Sequence, residues 1–315
     1  MVKTVFGGYA LSDEAYFNKH EERTQILNVL WENGVTTIDT ARIYPGSEVA
    51  IGKLDKRVDF TIDTKLAGGF GPGSAHKEGV LQDAQDSLEK VDIKQFDILY
   101  LHAPDTSIPW EDTLAGIDEA HKKGIFKRFG LSNFTPDQVQ QVYNLAKEKG
   151  YPLPKVYQGN YNPVARHLET DLFPLLRKLG IAFYAYSPLA GGFLTKTAAD
   201  LDAGAGRFNQ QVLGGMYSSL YDKPSLRQAL VDWNTIAEKE GVSKAELAYR
   251  WVAHHSALGS DEDGIIFGAS RLEQVAQTAQ SIKKGKLSGD AVQGIQQIWE
   301  NVKQDAPIDN FNTKA

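Results

Sequence analysis

Short runs of β-branched and aromatic residues alternate with longer amphipathic stretches along almost the whole chain, and this alternation constrains the fold most. Helical periodicity separates eight such runs, each typical of a buried strand. Strands that alternate with helices build parallel sheets, and eight of them favour a closed barrel over an open doubly wound sheet. We therefore predict an α/β fold of the (β/α)8 TIM-barrel type. The predicted strands are residues 2–7, 35–39, 58–64, 96–101, 128–131, 156–158, 182–186 and 264–267.

Two segments interrupt the rhythm. A long loop, residues 187–223, follows the seventh strand, and a C-terminal segment from residue 287 consists of a helix to about residue 303 and then a tail. Barrels of this type commonly exceed 250 residues as one domain. We therefore expect a single barrel domain over residues 1–315, with substrate specificity residing in the loop and the tail.

Composition excludes several functional classes. The net charge is -6 and the chain contains no cysteine, which argues against nucleic-acid binding and rules out disulfides and thiolate catalysis. No window approaches the roughly 20 apolar residues that a membrane helix needs. The N-terminal residues enter the first strand without the pattern of a signal peptide. We expect a cytoplasmic protein with neither a nucleic acid nor a membrane as partner.

Four chemically active side chains fall at three successive strand ends. Asp39 and Tyr44 follow the second strand, Lys65 the third and His102 the fourth. The active site of such a barrel lies at the carboxyl ends of its strands. Taken singly, each residue has an ordinary structural explanation, such as a turn, a solvated charge or a buried hydrogen bond. Their joint occurrence favours catalysis.

These four residues suit proton transfer. A tyrosine has a pKa near about 10, and a neighbouring ammonium such as that of Lys65 lowers it. Asp39 would hold the buried lysine, and His102 would orient a substrate carbonyl or share its proton. Such a general acid protonates an oxygen while hydride reaches the adjacent carbon. No protein side chain donates hydride, so a cofactor is implied.

Residues after the later strands are suited to holding that cofactor. The Tyr186 ring can stack on a flat heterocycle, and Arg271 offers a fork for a phosphate monoester. Residues 268–271 open a helix after the last strand, where free backbone N–H groups favour an anion. No GxGxxG motif follows a strand, so a Rossmann mode is not supported. Further candidates are Ser132, Asn133 and Gln158 for a carboxamide, and Gly191-Gly192 for a pyrophosphate.

Seven motifs together resemble the aldo-keto reductase family over nearly the whole chain. They are Ile38-Asp-Thr-Ala with Tyr44, Thr64-Lys65, Leu101-His102, Gly130-Leu-Ser-Asn-Phe134, Tyr157-Gln158, Ala185-Tyr-Ser-Pro-Leu-Ala-Gly-Gly192 and Ile266-Phe-Gly-Ala-Ser270. The resemblance implies NADPH-dependent reduction of aldehydes and ketones, with Asp39, Tyr44, Lys65 and His102 as the catalytic tetrad and Tyr44 as the acid. It implies cofactor contacts at Ser132, Asn133, Gln158, Tyr186, Ser187, Leu189, Gly191, Arg207, Gly268, Ser270, Arg271 and Gln274.

Within the family, Gly206-Arg-Phe208 followed by Tyr217 is most similar to the aflatoxin-aldehyde and succinic-semialdehyde reductase branch. That similarity implies that Arg207 touches the cofactor phosphates, that Tyr217 and His102 contact the substrate, and that the protein is a homodimer. The chain departs from the branch where it has Leu220 in place of a carboxylate-binding arginine and where its tail does not end in arginine. We therefore expect an uncharged aldehyde or ketone as substrate.

A third departure concerns the adenine end. Thr278 and Ala279 stand where many relatives place a Glu-Asn pair, so the strictness for NADPH over NADH stays open.

The main alternative function is a cofactor-binding regulatory subunit with little turnover, like the channel-associated barrel relatives. A Schiff-base aldolase using Lys65 would leave Tyr44 and Arg271 without a role. A metal-dependent hydrolase would need histidines paired with His102 at strand ends, and we expect no metal site.

Overall fold

A computed structural model describes residues 2–312, and within them eight parallel strands close into a barrel in chain order. The predicted (β/α)8 fold is confirmed. The first and last strands pair directly, from Lys3 beside Gly264 to Phe6 beside Phe267. The strands are β1 (Lys3–Gly7), β2 (Thr37–Asp39), β3 (Thr61–Leu66), β4 (Phe96–Leu101), β5 (Phe126–Ser132), β6 (Pro154–Asn160), β7 (Ala182–Tyr186) and β8 (Gly264–Phe267).

Helices follow the strands, and most of them cover the outside of the barrel. They are α1 (His20–Glu32), α2 (Ser47–Gly52), α3 (Lys77–Val91), α4 (Trp110–Lys122), α5 (Pro136–Lys149), α6 (Leu172–Leu179), α7 (Ala198–Asp202), α8 (Met216–Tyr221), α9 (Pro224–Glu240), α10 (Lys244–His254), α11 (Leu272–Lys283) and α12 (Gly289–Val302). The predicted start of α5 is confirmed, because the Thr135 hydroxyl accepts a hydrogen bond from the Gln138 N–H and Pro136 occupies the first turn.

The predicted strand bounds are wrong at several ends. Residue 58 does not begin β3: Val58 is 71% exposed in a 3-10 turn, Asp55–Asp59, and the strand instead includes Lys65. β5 and β6 are each seven residues long, so Ser132 lies within β5 and does not follow it, and β6 continues two residues beyond Gln158. Pairing with two neighbours sets these ends, and it depends on residues far away in the chain.

Two apolar layers hold the barrel. Inside it, a small cluster of Val5, Ile98, Tyr100, Val156, Tyr184 and Ile266 fills the lumen. Outside it, a much larger core joins the strands to the helices. Side chains alternate between the two faces of a strand, so Asp63 and Lys65 of β3 both point into the lumen. The lumen is thus a packed floor beneath the strand ends.

The loop and the tail lie over the open end of the barrel. The loop contains α7, α8 and three 3-10 turns, Ala190–Thr195, Gly206–Phe208 and Val212–Gly215. The tail after α12 returns to the mouth as far as Asn312, and residues 313–315 lie outside the described part. Among residues 2–312, none of the helices has the length and apolar content of a membrane span.

Candidate active site

A cavity of about 970 Å³ opens at the carboxyl ends of the strands. Its volume is at the upper end of the range for small-molecule and cofactor sites. Among the predicted site residues, Lys65 and Ser132 lie behind the wall, and the others line it. The predicted residues on the wall are Asp39, Tyr44, His102, Asn133, Gln158, Tyr186, Ser187, Leu189, Gly191, Arg207, Tyr217, Gly268, Ser270, Arg271 and Gln274.

Lys65 and Asp39 form a buried ion pair under one end of the cavity. Lys65 is 0% exposed, and its Nζ lies 2.6 Å from Asp39 Oδ2 and 2.7 Å from the Thr40 carbonyl oxygen. The other carboxylate oxygen of Asp39 accepts a hydrogen bond from Gln158 Nε2 at 2.9 Å. Burial alone would lower the pKa of Lys65, but Asp39 and the nearby Tyr44 raise it above its ordinary value. Lys65 therefore carries a positive charge.

That charge is held against Tyr44. The Lys65 Nζ lies 5.2 Å from the centre of the Tyr44 ring, and the ring packs edge-on against His102 at 5.8 Å. The loop that presents Tyr44 is fastened to the barrel from both sides, since the Ser47 hydroxyl donates to the Gly8 carbonyl and contacts the Thr40 hydroxyl, each at 2.8 Å. The predicted set of Asp39, Tyr44, Lys65 and His102 is thus brought together.

The predicted effect of Lys65 on the pKa of Tyr44 is present, but the predicted net direction of the shift is wrong. Burial is the largest influence and raises the pKa of Tyr44 above 10, while Lys65 opposes that rise and Asp39 adds to it. We predicted a lowered pKa because sequence shows charged neighbours but not the loss of solvent around the phenol. The consequence is a neutral hydroxyl that keeps its proton and can donate it.

His102 is neutral. Burial, with a smaller contribution from Lys65, lowers the pKa of His102 well below 6.5. Its Nδ1 is buried and has no hydrogen-bond partner within residues 2–312. A neutral imidazole donates from one nitrogen only, so this side chain can orient an oxygen by a single hydrogen bond.

Tyr186 and Asn133 form one wall of the cavity. The Tyr186 hydroxyl donates to Asn133 Oδ1 at 2.8 Å, and Asn133 Nδ2 donates to the His102 carbonyl oxygen at 2.8 Å. Asn133 has a backbone φ of 62°, in the left-handed region that asparagine tolerates. Ser132, behind this wall, accepts a longer hydrogen bond from Asn133 Nδ2 at 3.2 Å. The ring of Tyr186 is therefore fixed beside the residues predicted to bind a carboxamide.

The anion corner after β8 differs from the prediction in one respect. Residues 268–271 precede α11 as expected, but Gln274 Oε1 accepts hydrogen bonds from the backbone N–H of Ser270 and of Arg271. Gln274 stands in the first turn of α11, and its side chain reaches back to cap it. These two N–H groups are therefore not free for an anion. Arg271 is exposed on the cavity wall, and within residues 2–312 its guanidinium forms no ion pair.

The loop brings Arg207 into the cavity between two tyrosines. Its guanidinium carbon lies 5.5 Å from the centre of the Tyr9 ring and 5.3 Å from that of Tyr217, and Nη1 donates to the Tyr217 hydroxyl at 3.2 Å. Gly191 makes room for this arrangement: its φ is 68°, and a Cβ there would stand 2.1 Å from the Tyr217 ring. Within the described residues Arg207 forms no ion pair, so its charge is available to an anion.

Several lining residues escaped the sequence prediction. Lys196 and Lys244 add two cations, and Tyr9, Phe70 and Asn310 add polar and aromatic surface. Of these five residues, only Lys244 has a sequence feature that could have indicated its place in the site. It opens α10 directly after its N-cap Ser243, where the helix dipole disfavours a positive charge. Among residues 2–312, no group of three or more histidine, aspartate or glutamate side chains is placed to hold a metal ion.

A closed barrel of eight parallel strands with a large cavity at its strand ends is typical of barrel enzymes. The chain matches the Aldo/keto reductase family over residues 3–300 and belongs to that family. Aldo-keto reductases carry out NAD(P)H-dependent reduction of small carbonyl compounds, as the resemblance implied.

Similar proteins support both the family and the branch. The chain is 42% identical to "Oxidoreductase sirO" of Leptosphaeria maculans over 91% of this chain and 88% of that protein. It is 36% identical to human "Aldo-keto reductase family 7 member A3" over 90% of each chain. Human "Aflatoxin B1 aldehyde reductase member 4" is 34% identical over 90% of each chain. The predicted likeness to the aflatoxin-aldehyde reductase branch is confirmed.

Proposed function

We propose that this protein reduces an uncharged aldehyde or ketone to an alcohol with NADPH, and that Tyr44 supplies the proton. When bound, the cofactor supplies hydride to the carbonyl carbon. The Tyr44 hydroxyl donates its proton to the carbonyl oxygen, and His102 holds that oxygen by a hydrogen bond. Lys65 stabilises the phenolate that remains.

The observation that carries this proposal is the buried pair of Lys65 and Asp39. A charge that is fully buried 5.2 Å from the Tyr44 ring favours the phenolate more strongly than it would in water. Asp39 and the Thr40 carbonyl fix the ammonium in place, so little reorganisation is needed as the proton leaves. A Schiff-base lysine must be uncharged, and the raised pKa of Lys65 argues against that alternative.

The cavity wall fits a phosphorylated dinucleotide. Arg271, which forms no ion pair among residues 2–312, stands at the helix after β8, where barrels commonly bind phosphate, and suits the 2′-phosphate that distinguishes NADPH from NADH. Arg207, Lys196 and Lys244 add positive charge along the same wall, which favours the pyrophosphate. At the other end, Asn133 and Tyr186 would hold the nicotinamide.

The mouth favours an uncharged substrate. Leu220 is 4% exposed and does not line the cavity, so no cation stands where the branch places its carboxylate-binding arginine. Large apolar side chains surround the opening and stay exposed to solvent: Tyr16, Ile43, Phe70 and Leu213. The nearby Glu14 would repel a carboxylate.

The test is NADPH oxidation across a panel of aldehydes, with NADH run in parallel. We expect turnover of 4-nitrobenzaldehyde, weaker turnover of succinic semialdehyde, and tighter binding of NADPH than of NADH. Tight NADPH binding with negligible turnover across the panel, together with a stable complex with a membrane protein, would instead support the regulatory-subunit alternative.

The remaining expectations concern assembly and location. We propose a cytoplasmic protein and, from the branch resemblance, a homodimer whose subunits each form one barrel domain. Light scattering after gel filtration checks the mass, and limited proteolysis checks the domain count. A monomer of 34.7 kDa would contradict the homodimer. Two separately stable fragments would contradict the single domain.

A further inference from the structure

The C-terminal tail is hydrogen-bonded to the cofactor-side wall of the cavity. The backbone N–H of Asn310 donates to the Tyr186 hydroxyl at 3.1 Å, and Asn312 Nδ2 donates to the Asn133 carbonyl oxygen at 3.0 Å. Tyr186 and Asn133 are the two residues that would hold the nicotinamide. A tail that served only to shape the substrate pocket would not need to bind them.

The tail completes the hydrogen bonding of Tyr186. The tyrosine hydroxyl donates its single proton to Asn133 Oδ1 at 2.8 Å and accepts from Asn310. A tyrosine side chain rotates about two torsions, and a hydroxyl fixed from both sides removes that freedom. Without residue 310, one half of this restraint is gone.

The tail has a defined conformation of its own. The Asp309 carboxylate is 4% exposed and accepts hydrogen bonds from the backbone N–H groups of Phe311 and Asn312 and from Asn312 Nδ2. The Phe311 ring packs edge-on against Phe70 at 5.0 Å. Chain ends that are not fastened are poorly ordered, and this one is fastened at several points.

Asn310 also presents an unused acceptor. Its side-chain oxygen is buried and has no hydrogen-bond partner within residues 2–312, and the residue lines the cavity beside Tyr186. A buried carbonyl without a partner is unfavourable, so the atom is suited to accept from a donor on a bound ligand.

We propose that residues 309–312 are part of the cofactor site and position Tyr186 and Asn133 against the nicotinamide. This inference rests on the proposed function, because it requires the nicotinamide to lie on Tyr186. Asn310 and Asn312 are positioning residues in this role. They act through Tyr186 and Asn133 and need not touch the substrate.

Two truncated chains test the proposal. One ends at Ile308 and the other at Asn312, which keeps every tail contact described above. Calorimetry gives the Kd of each for NADPH and for 2′,5′-ADP, which has the phosphate corner of the cofactor but no nicotinamide. We expect the shorter chain to bind NADPH about tenfold more weakly, the factor for one ordinary hydrogen bond, and 2′,5′-ADP equally well.

Other outcomes overturn the proposal. Equal NADPH affinities of the two chains would mean that the tail contributes only to substrate binding. Equal weakening for NADPH and 2′,5′-ADP would mean a general disturbance of the fold. Failure of the proposed function looks different, because the full chain itself would then bind NADPH without reducing any aldehyde of the panel, or would not bind it.

Full-length variants keep the test independent of truncation. Tyr186→Phe removes the hydroxyl, Asn312→Ala removes the bond to Asn133, and Tyr143→Phe on α5 is the matched control away from the cavity. We expect the first two to weaken NADPH binding and to spare 2′,5′-ADP, and the control to change neither. Tyr186→Phe should weaken NADPH binding less in the shorter chain than in the full-length chain, since the hydrogen bond from Asn310 to Tyr186 is already absent there. Fully additive losses of NADPH affinity would contradict the proposal that the tail acts through Tyr186.

Discussion

Replacing Lys65 by methionine removes the positive charge from the barrel while keeping a side chain of similar length. Asp39 is then a buried carboxylate whose remaining side-chain donor in the described structure is Gln158 Nε2. At 2.6 Å and an effective dielectric constant of about 20, the lost attraction is about 6 kcal/mol before desolvation is subtracted. Removing one partner of a buried pair costs about 3–5 kcal/mol. We expect Lys65→Met to lower the free energy of unfolding by about 3–5 kcal/mol.

The same substitution should slow catalysis by a separate route. At 5.2 Å from the Tyr44 ring, the charge stabilises the phenolate by about 3 kcal/mol at the same effective dielectric constant, which equals about two pKa units. A proton transfer that responds to half of this difference slows about tenfold. The assays are urea unfolding for stability, and kcat with 4-nitrobenzaldehyde and NADPH for the chemistry.

A double variant separates the two effects. Adding Asp39→Asn to Lys65→Met removes the unpaired charge and keeps an acceptor for Gln158, so most of the lost stability should return. Activity should not return, because the charge beside Tyr44 is still missing. A double variant that regained both stability and kcat would refute the reasoning, since Lys65 would then be purely structural.

Three further predictions concern the floor, the anion corner and the mouth of the cavity. Burial raises the pKa of Asp63 well above 3.8, so the unfolded chain ionises this carboxyl before the native protein does and native stability falls as pH rises. The stability of Asp63→Asn relative to wild type should therefore grow by up to about 1.4 kcal/mol per pH unit above about pH 4, measured by urea unfolding at pH 5, 6 and 7; a difference independent of pH would contradict this. Arg271→Ala should weaken NADPH binding about tenfold and NADH binding little, measured by calorimetry, because a charge-assisted bond to the 2′-phosphate is lost; equal losses would place the arginine elsewhere on the cofactor. Phe70→Ala should lower kcat/KM more for 2-naphthaldehyde, by about tenfold, than for acetaldehyde, because the larger substrate extends over this ring while both substrates depend on His102, which the ring also contacts; the reverse pattern would remove Phe70 from the substrate pocket.

The barrel is predictable from the sequence because the patterns that indicate it are local. The hydrophobic periodicities of strands and helices are visible in consecutive residues, and the strand order follows from the alternation of the two. The ends of the strands depend on pairing with residues that are distant in the chain. Val58 has the β-branched character of a strand residue yet lies exposed in a turn, because β3 begins only where Thr61 pairs with Thr37 of β2.

The clustering of Asp39, Tyr44, Lys65 and His102 was also predictable, because each lies at or shortly after the end of a strand. What sequence could not give is their solvent environment. The opposite direction expected for the pKa of Tyr44 came from counting charges without burial. Tail contacts such as Asn310 to Tyr186 join residues 124 positions apart, and no local pattern reports them.

The central claim is that Tyr44 donates the proton, and Tyr44→Phe tests it most directly. The variant removes one hydroxyl and keeps the ring that packs on Tyr9 and His102. The measurement is kcat for 4-nitrobenzaldehyde with NADPH, with the NADPH Kd determined on the same preparation. We expect kcat to fall by about 10²–10⁴, the usual contribution of a general acid, with the Kd unchanged. An unchanged kcat would contradict the proposed mechanism.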